Sequence, residues 1–164
     1  MIFECTVMNP AEIHRHICSA FDAFANAFGN RTVPGLMPMR WEQLIADLLN
    51  WLRGIDQALV FAGLLSILET EHQYLYQSVA GELLEKTGIS SPIPIEEFLQ
   101  RVLPLWNLSV GTVPRYAARS FGRETVLAFV HRLKTSNAIW ANRGKLDAFT
   151  YHLGGQLAKA EPGE

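Results

Sequence analysis

Basic side chains in the last third of the chain have the types and the spacing that could bind an acidic group. Arg115, Arg119 and Arg123 follow one another at four-residue intervals. Residues four apart lie on one face of a helix, so these guanidinium groups could together contact carboxylates or phosphates. We therefore predict a binding face that contains seven residues of the C-terminal helices: Arg115, Arg119, Arg123, Arg132, Lys134, Trp140 and Arg143.

The distribution of charge along the chain supports this prediction. Residues 1–100 carry five basic and twelve acidic side chains, whereas residues 101–164 carry nine basic and four acidic ones. The overall net charge of −2 therefore hides an acidic half and a basic half. A partner protein with an acidic surface fits the basic half. The alternative interpretation is that these are solvated surfaces, partly paired with acids of the N-terminal half.

Two smaller clusters have spacings that metal sites use. His14 and Cys18 are four residues apart and share a helix face, but no Cys-x-x-Cys or His-x-x-x-His supplies the further ligands of a zinc site. Glu69 and His72 form a Glu-x-x-His sequence, which di-iron bundles need twice, together with two more glutamates. The sequence therefore predicts no metal and no cofactor.

Catalytic signatures are missing from the sequence. There is no Gly-x-Ser-x-Gly, no Walker loop and no Gly-x-Gly-x-x-Gly after a strand. A catalytic site assembled from distant residues leaves no such motif. One alternative function is therefore an enzyme, or a small-molecule or metal binder, with a pocket near Glu69, Glu71 and His72. A second alternative is binding to a nucleic-acid backbone.

Length and composition favour one folded domain over residues 1–164. With 49% hydrophobic and 18% charged residues, the chain is neither disordered nor fibrous. Two cysteines are too few for a disulfide framework, the start does not resemble a secretory signal, and the longest apolar run, Ala58 to Leu68, is shorter than a membrane span of about 18 residues. We expect a cytoplasmic protein without contact to a membrane.

Helical periodicity predicts the all-α fold class, with about seven to eight helices in antiparallel pairs. Ala58 to Leu68 is apolar on nearly every side, which predicts a central helix. Pro34, Gly35 and Pro38 predict an irregular connection over residues 31–39. We also expect a short extended arm at residues 1–9, a last helix over about residues 145–157, and a flexible tail at residues 158–164.

Glycines that follow predicted helices recur at regular intervals. Gly54, Gly88, Gly122 and Gly154 are separated by 34, 34 and 32 residues, and each interval holds about two helices. Such a period is typical of stacked helical repeats. Regular helix lengths in a plain bundle would produce the same spacing, so both architectures stay open.

The segment from Val113 to Gly122 resembles the second helix of a HEAT repeat, and Leu75 to Gly88 is similar to the same pattern. The resemblance covers residues of about 55–157, with departures at Glu85 and Pro114. It implies a superhelix of helix pairs. Together with the basic face, it favours a non-enzymatic protein-interaction module, of the adaptor or immunity-protein type, that contacts an acidic partner.

Overall fold

Eight α-helices make up most of the described chain, which contains no strand. The computed structural model describes residues 8–28, 36–136 and 142–154. The all-α class and the expected number of helices are confirmed for these residues. In chain order the helices are α1 (Pro10–Phe28), α2 (Leu36–Leu52), α3 (Gln57–Thr70), α4 (Tyr74–Thr87), α5 (Ile95–Val102), α6 (Thr112–Phe121), α7 (Arg123–Thr135) and α8 (Arg143–His152).

The helices form two rows of neighbours. In one row α1 packs on α3 and α3 on α5, and in the other α2 packs on α4, α4 on α6 and α6 on α8. Helices consecutive in the chain also pack on each other across the rows, as α1 does on α2, α3 on α4 and α7 on α8. The arrangement therefore consists of neighbouring helix pairs, and α1 and α2 take part in it.

Each second-row helix is followed by a glycine with positive φ, while ψ differs between them and is 1° at Gly88 and 130° at Gly122. Gly54, Gly88, Gly122 and Gly154 all have positive φ, and they follow α2, α4, α6 and α8. At Gly88, φ is 74° and ψ is 1°, the left-handed conformation that ends many helices and that only glycine adopts without strain. The predicted interval of one helix pair per glycine is thus confirmed.

Helix α3 lies at the centre of the fold, as its all-round apolar sequence predicts. It packs on α1, α4 and α5, and seven of its residues are buried. Gly63 permits the close approach of α1, because a β-carbon at this position would lie 2.6 Å from the side chain of Ile13. One hydrophobic core cluster includes buried residues from each of the eight helices.

Local side-chain chemistry sets several helix ends. Asn9 and Glu12 bond each other's backbone N–H groups at 3.0 and 2.9 Å and so cap the start of α1. The carboxylate of Asp56 accepts hydrogen bonds from the amides of Ala58 and Leu59 at the start of α3. Helix α5 ends at Val102, two residues before Pro104, as expected for a residue that cannot continue a helix.

Two predicted boundaries are wrong. Helix α2 already begins at Leu36, inside the segment expected to be irregular, because Pro38 falls in its first turn, where a missing N–H group removes no helical hydrogen bond. Helix α8 ends at His152, earlier than the expected residue 157, and Gly154 follows it. The predicted arm is described only at residues 8 and 9, and the predicted tail lies outside the described residues.

Gln77 is the one buried polar residue of the described chain, and all its hydrogen bonds go to the backbone. Its amide nitrogen donates to the carbonyl oxygens of Glu71 and Leu105 at 2.7 and 2.8 Å. Its amide oxygen accepts from the N–H of Asn107 at 2.8 Å. This side chain therefore joins the α3–α4 connection to the α5–α6 connection.

Substitution of Gln77 by Met is expected to lower the free energy of unfolding by about 2–5 kcal/mol, because three backbone groups lose their partner inside the protein. Gln100→Met is the matched control, since Gln100 is exposed, and it should change stability by no more than about 0.5 kcal/mol. Urea denaturation followed by circular dichroism measures both values. Equal stability of the two variants would contradict the role given to Gln77.

Candidate functional site

The first two arginines of the predicted binding face contact the end of helix α4. Arg115 forms a two-pronged ion pair with Glu85, at 2.9 and 3.1 Å. Arg119 donates from Nη2 to the carbonyl oxygens of Leu84 and Ile89, both at 2.9 Å. The carbonyls at a helix end lack intrahelical donors, so Arg119 serves the fold as a partner for them.

Arg123 and Lys134 of the same set contact helix α8. Arg123 donates to the carbonyl oxygen of Leu153 at 2.9 Å and also pairs with the neighbouring Glu124. Lys134 lies 2.8 Å from a carboxylate oxygen of Asp147, in the first half of α8. These basic groups are thus engaged by other parts of the chain.

The remaining predicted residues lie apart from these. Arg132 places its guanidinium 4.8 Å from the ring centroid of Phe129, beside a cleft of about 540 Å³ between the start of α5 and α7. Arg143 is the exposed first residue of α8. Trp140 lies outside the described residues. The described members of the predicted face therefore point to three different places: the end of α4, helix α8 and the α5–α7 cleft.

A groove beside Arg115 was not expected from the sequence. It has a volume of about 390 Å³ and lies between the starts of α2 and α4 and the α5–α6 connection. We call it the aromatic groove. Its lining consists of Trp41, Tyr74, Leu75, Ser78, Glu82, Ser109, Val110, Gly111, Thr112 and Arg115.

Two of the four exposed large hydrophobic side chains of the described residues line this groove, and a third precedes a lining residue in the chain. Tyr74 and Leu75 line it and are each 44% exposed, and Leu108 is 45% exposed and precedes the lining residue Ser109. Tyr151 is 66% exposed, and the Nε2–H of its neighbour His152 donates to the carbonyl oxygen of Leu108 at 2.6 Å. Apolar side chains that would gain from burial are therefore concentrated at one place on the surface.

The acidic and histidine residues at the end of α3 and in the α3–α4 connection make separate contacts. Glu69 forms an ion pair with Arg101 of α5, Glu71 turns to His14 of α1, and His72 is exposed. Two of the three residues near which the alternative function predicts a pocket are therefore engaged in separate contacts.

Glu71 instead completes a small cluster with the two residues of α1. The Nε2 atom of His14 lies 3.1 Å from Glu71 Oε1, and Nδ1 lies 3.0 Å from the hydroxyl oxygen of Ser66. One ligand-type atom from each of His14, Cys18 and Glu71 lies within 4.8 Å of the others. The spacing within α1 indicates the first two members, but Glu71 is 57 residues from His14, and nothing in the sequence connects it to them.

The Cys18 thiol is not an activated nucleophile. Burial, and then the negative charges of Glu71 and Asp22, raise the pKa of this thiol to about 12. At neutral pH the thiol therefore keeps its proton, whereas nucleophilic cysteines are thiolates.

Comparisons with protein-family models, with curated proteins and with solved structures find no match to this chain. Among the described residues, none of the helices combines the length and the apolar character that crossing a bilayer requires.

Removal of the Arg119 side chain tests whether this arginine serves the fold. Arg119→Ala should lower the free energy of unfolding by about 1–2 kcal/mol, because two carbonyls at the end of α4 lose a charged donor. The matched control Arg143→Ala should stay within about 0.5 kcal/mol of the wild type, since Arg143 is exposed. Thermal and urea denaturation measure the difference. Equal effects of both substitutions would show that Arg119 does not stabilise α4.

Alkylation measures the ionisation of Cys18. In a Cys5→Ser background, the rate with iodoacetamide should keep rising with pH beyond the value of about 8.5 at which an ordinary thiol levels off. The reason is that only the thiolate reacts and that the pKa of Cys18 is raised to about 12. The same protein in concentrated urea is the control and should level off near the ordinary value. A folded thiol that levels off there too would contradict the assignment.

Proposed function

We propose that this protein is a non-enzymatic helical interaction module that binds an acidic, partly apolar segment of a partner protein along the aromatic groove. The observation that carries the proposal is the concentration of exposed large hydrophobic side chains around a groove that also contains an arginine. Tyrosine and arginine are enriched among the residues that contribute most to protein–protein affinity. An apolar surface of this kind is typical of a contact site.

The proposal includes a HEAT-like stack of helix pairs. Its support is the two-row packing and the positive-φ glycine after each second-row helix. In stacked repeats, one row of helices presents an extended binding surface. The second row carries the exposed residues Tyr74 on α4, Arg115 on α6 and Tyr151 on α8, together with the partly buried Trp41 on α2.

Arg115 is the basic contact of the proposed site. Its side chain is 55% exposed, and its guanidinium holds the carboxylate of Glu85 with two hydrogen bonds. An exposed ion pair is worth little, so a carboxylate of the partner can replace Glu85 at small cost and keep the same geometry. Arg132 and Arg143 add positive charge on the C-terminal helices, which favours the approach of an acidic partner.

The test uses the full chain as bait in native cytosol, since the proposal assumes a cytoplasmic protein. Captured proteins are identified by mass spectrometry, and the affinity of each purified candidate is then measured by titration calorimetry. Leu75→Ser, Tyr151→Ser and Arg115→Ala should each weaken binding by about tenfold or more. Arg15→Ala removes an exposed arginine of α1 and is the matched control, which should bind as the wild type does.

Circular dichroism establishes that the variants are folded. Binding that is lost in the groove variants and kept in the Arg15→Ala control supports the proposal. Partners that bind all variants equally, or a failure to capture any protein, would rule out the groove as the binding site.

A further inference from the structure

The cluster of His14, Cys18 and Glu71 has the composition of a transition-metal site. It offers an imidazole nitrogen, a thiol sulfur and a carboxylate oxygen, and these atoms all lie within 4.8 Å of one another. Zn²⁺ binds these three donor types, at about 2.0–2.3 Å. Hard cations such as Ca²⁺ and Mg²⁺ prefer oxygen ligands alone, so the mixed donors favour a first-row transition metal.

The backbone already holds the three residues close to the required spacing. In a tetrahedral site the ligand atoms lie roughly 3.3–3.8 Å apart, which follows from the metal–ligand distances. The three ligand atoms now lie up to 4.8 Å apart, so metal binding requires them to approach one another by about 1 Å. The side chain of Glu71 is 31% exposed and can supply this by rotation. Helix α1, which carries the other two ligands, stays fixed because it packs closely on α3 at Gly63.

Ser66 provides the outer contact that metal-bound histidines require. Its hydroxyl oxygen lies 3.0 Å from His14 Nδ1, on the side of the ring away from Glu71. A histidine ligand usually donates its second ring N–H to such a partner, which fixes the ring and leaves the other nitrogen free for the metal. A hydroxyl both donates and accepts hydrogen bonds. Ser66 can therefore donate to His14 Nδ1 when Nε2–H donates to Glu71, and it can accept from Nδ1–H when Nε2 binds a metal.

We propose that His14 Nε2, Cys18 Sγ and a carboxylate oxygen of Glu71 bind one Zn²⁺ ion, with water in the fourth position. On binding, the Cys18 thiol releases its proton to solvent, and the neutral His14 ring carries its proton on Nδ1 towards Ser66. No electron is transferred. Three protein ligands and one open position are the arrangement of zinc sites that remain accessible to solvent. This site is separate from the aromatic groove, and the inference does not depend on the proposed function.

Cobalt(II) is the probe, because a cobalt–thiolate bond gives an intense charge-transfer absorption that reports directly on Cys18. The protein is prepared without an affinity tag, treated with a chelator and titrated with Co²⁺ and then with Zn²⁺. The Cys5→Ser chain should bind one equivalent of Co²⁺ with this absorption, and Zn²⁺ should displace it. Native mass spectrometry should show one metal ion per chain.

One substitution of each ligand tests the assignment, and a substitution at His72 serves as the matched control. Cys18→Ser should abolish the charge-transfer absorption, and His14→Ala and Glu71→Gln should weaken binding at least tenfold. His72→Ala changes the exposed neighbour of Glu71 and should bind as the parent does. Circular dichroism of the metal-free variants excludes unfolding as the cause, and Cys18→Ala provides a second test at that position.

Three results would overturn the assignment. These are the absence of stoichiometric Co²⁺ and Zn²⁺ binding by the folded parent protein, an absorption that survives Cys18→Ser, and an equal loss of affinity in His72→Ala. An absorption of the wild-type chain that is lost in the Cys5→Ser chain would likewise overturn it, because the metal would then bind elsewhere.

Discussion

The buried amide of Gln77 is the interaction on which both candidate sites depend. It holds the backbone of Glu71 on one side and the backbones of Leu105 and Asn107 on the other. The first contact fixes the segment from which the Glu71 carboxylate reaches His14, and the second fixes the connection that forms one wall of the aromatic groove. A buried polar group is stable only with all its partners in place, so neither segment can shift without loss to the other.

The unequal distribution of charge along the chain has a structural cause. Basic side chains of the second half reach acids or helix-end carbonyls of the first, as Arg101 does at Glu69, Arg115 at Glu85 and Arg119 at Leu84. Within the second half, Lys145 of α8 donates to the carbonyl oxygens of Leu103 and Pro104, and burial lowers its pKa. The acidic half and the basic half therefore hold each other in the fold, which is the interpretation that competes with a binding face.

The sequence predicts those features that follow from neighbouring residues. The all-α class, the central position of α3, the glycine after each second-row helix and the end of α5 before Pro104 all follow from helical periodicity or backbone chemistry. Tertiary packing decides which distant group a long side chain contacts. The contacts of Arg119 and the approach of Glu71 to His14 were therefore not predictable from the sequence. Pro38 was misread because proline is compatible with both a loop and a first helical turn.

Arg119 and Arg123 also bear on how the helices come apart. Proteins open locally in cooperative units, and the contacts that join one helix to the next decide which helices open together. Arg123, at the start of α7, holds the carbonyl of Leu153 after α8, whereas Arg119 of α6 holds the end of α4. The last two helices are thus fastened to each other, and α6 is fastened to the end of α4. We therefore expect α7 and α8, which Lys134 and Asp147 also join, to open as one cooperative unit rather than one helix at a time.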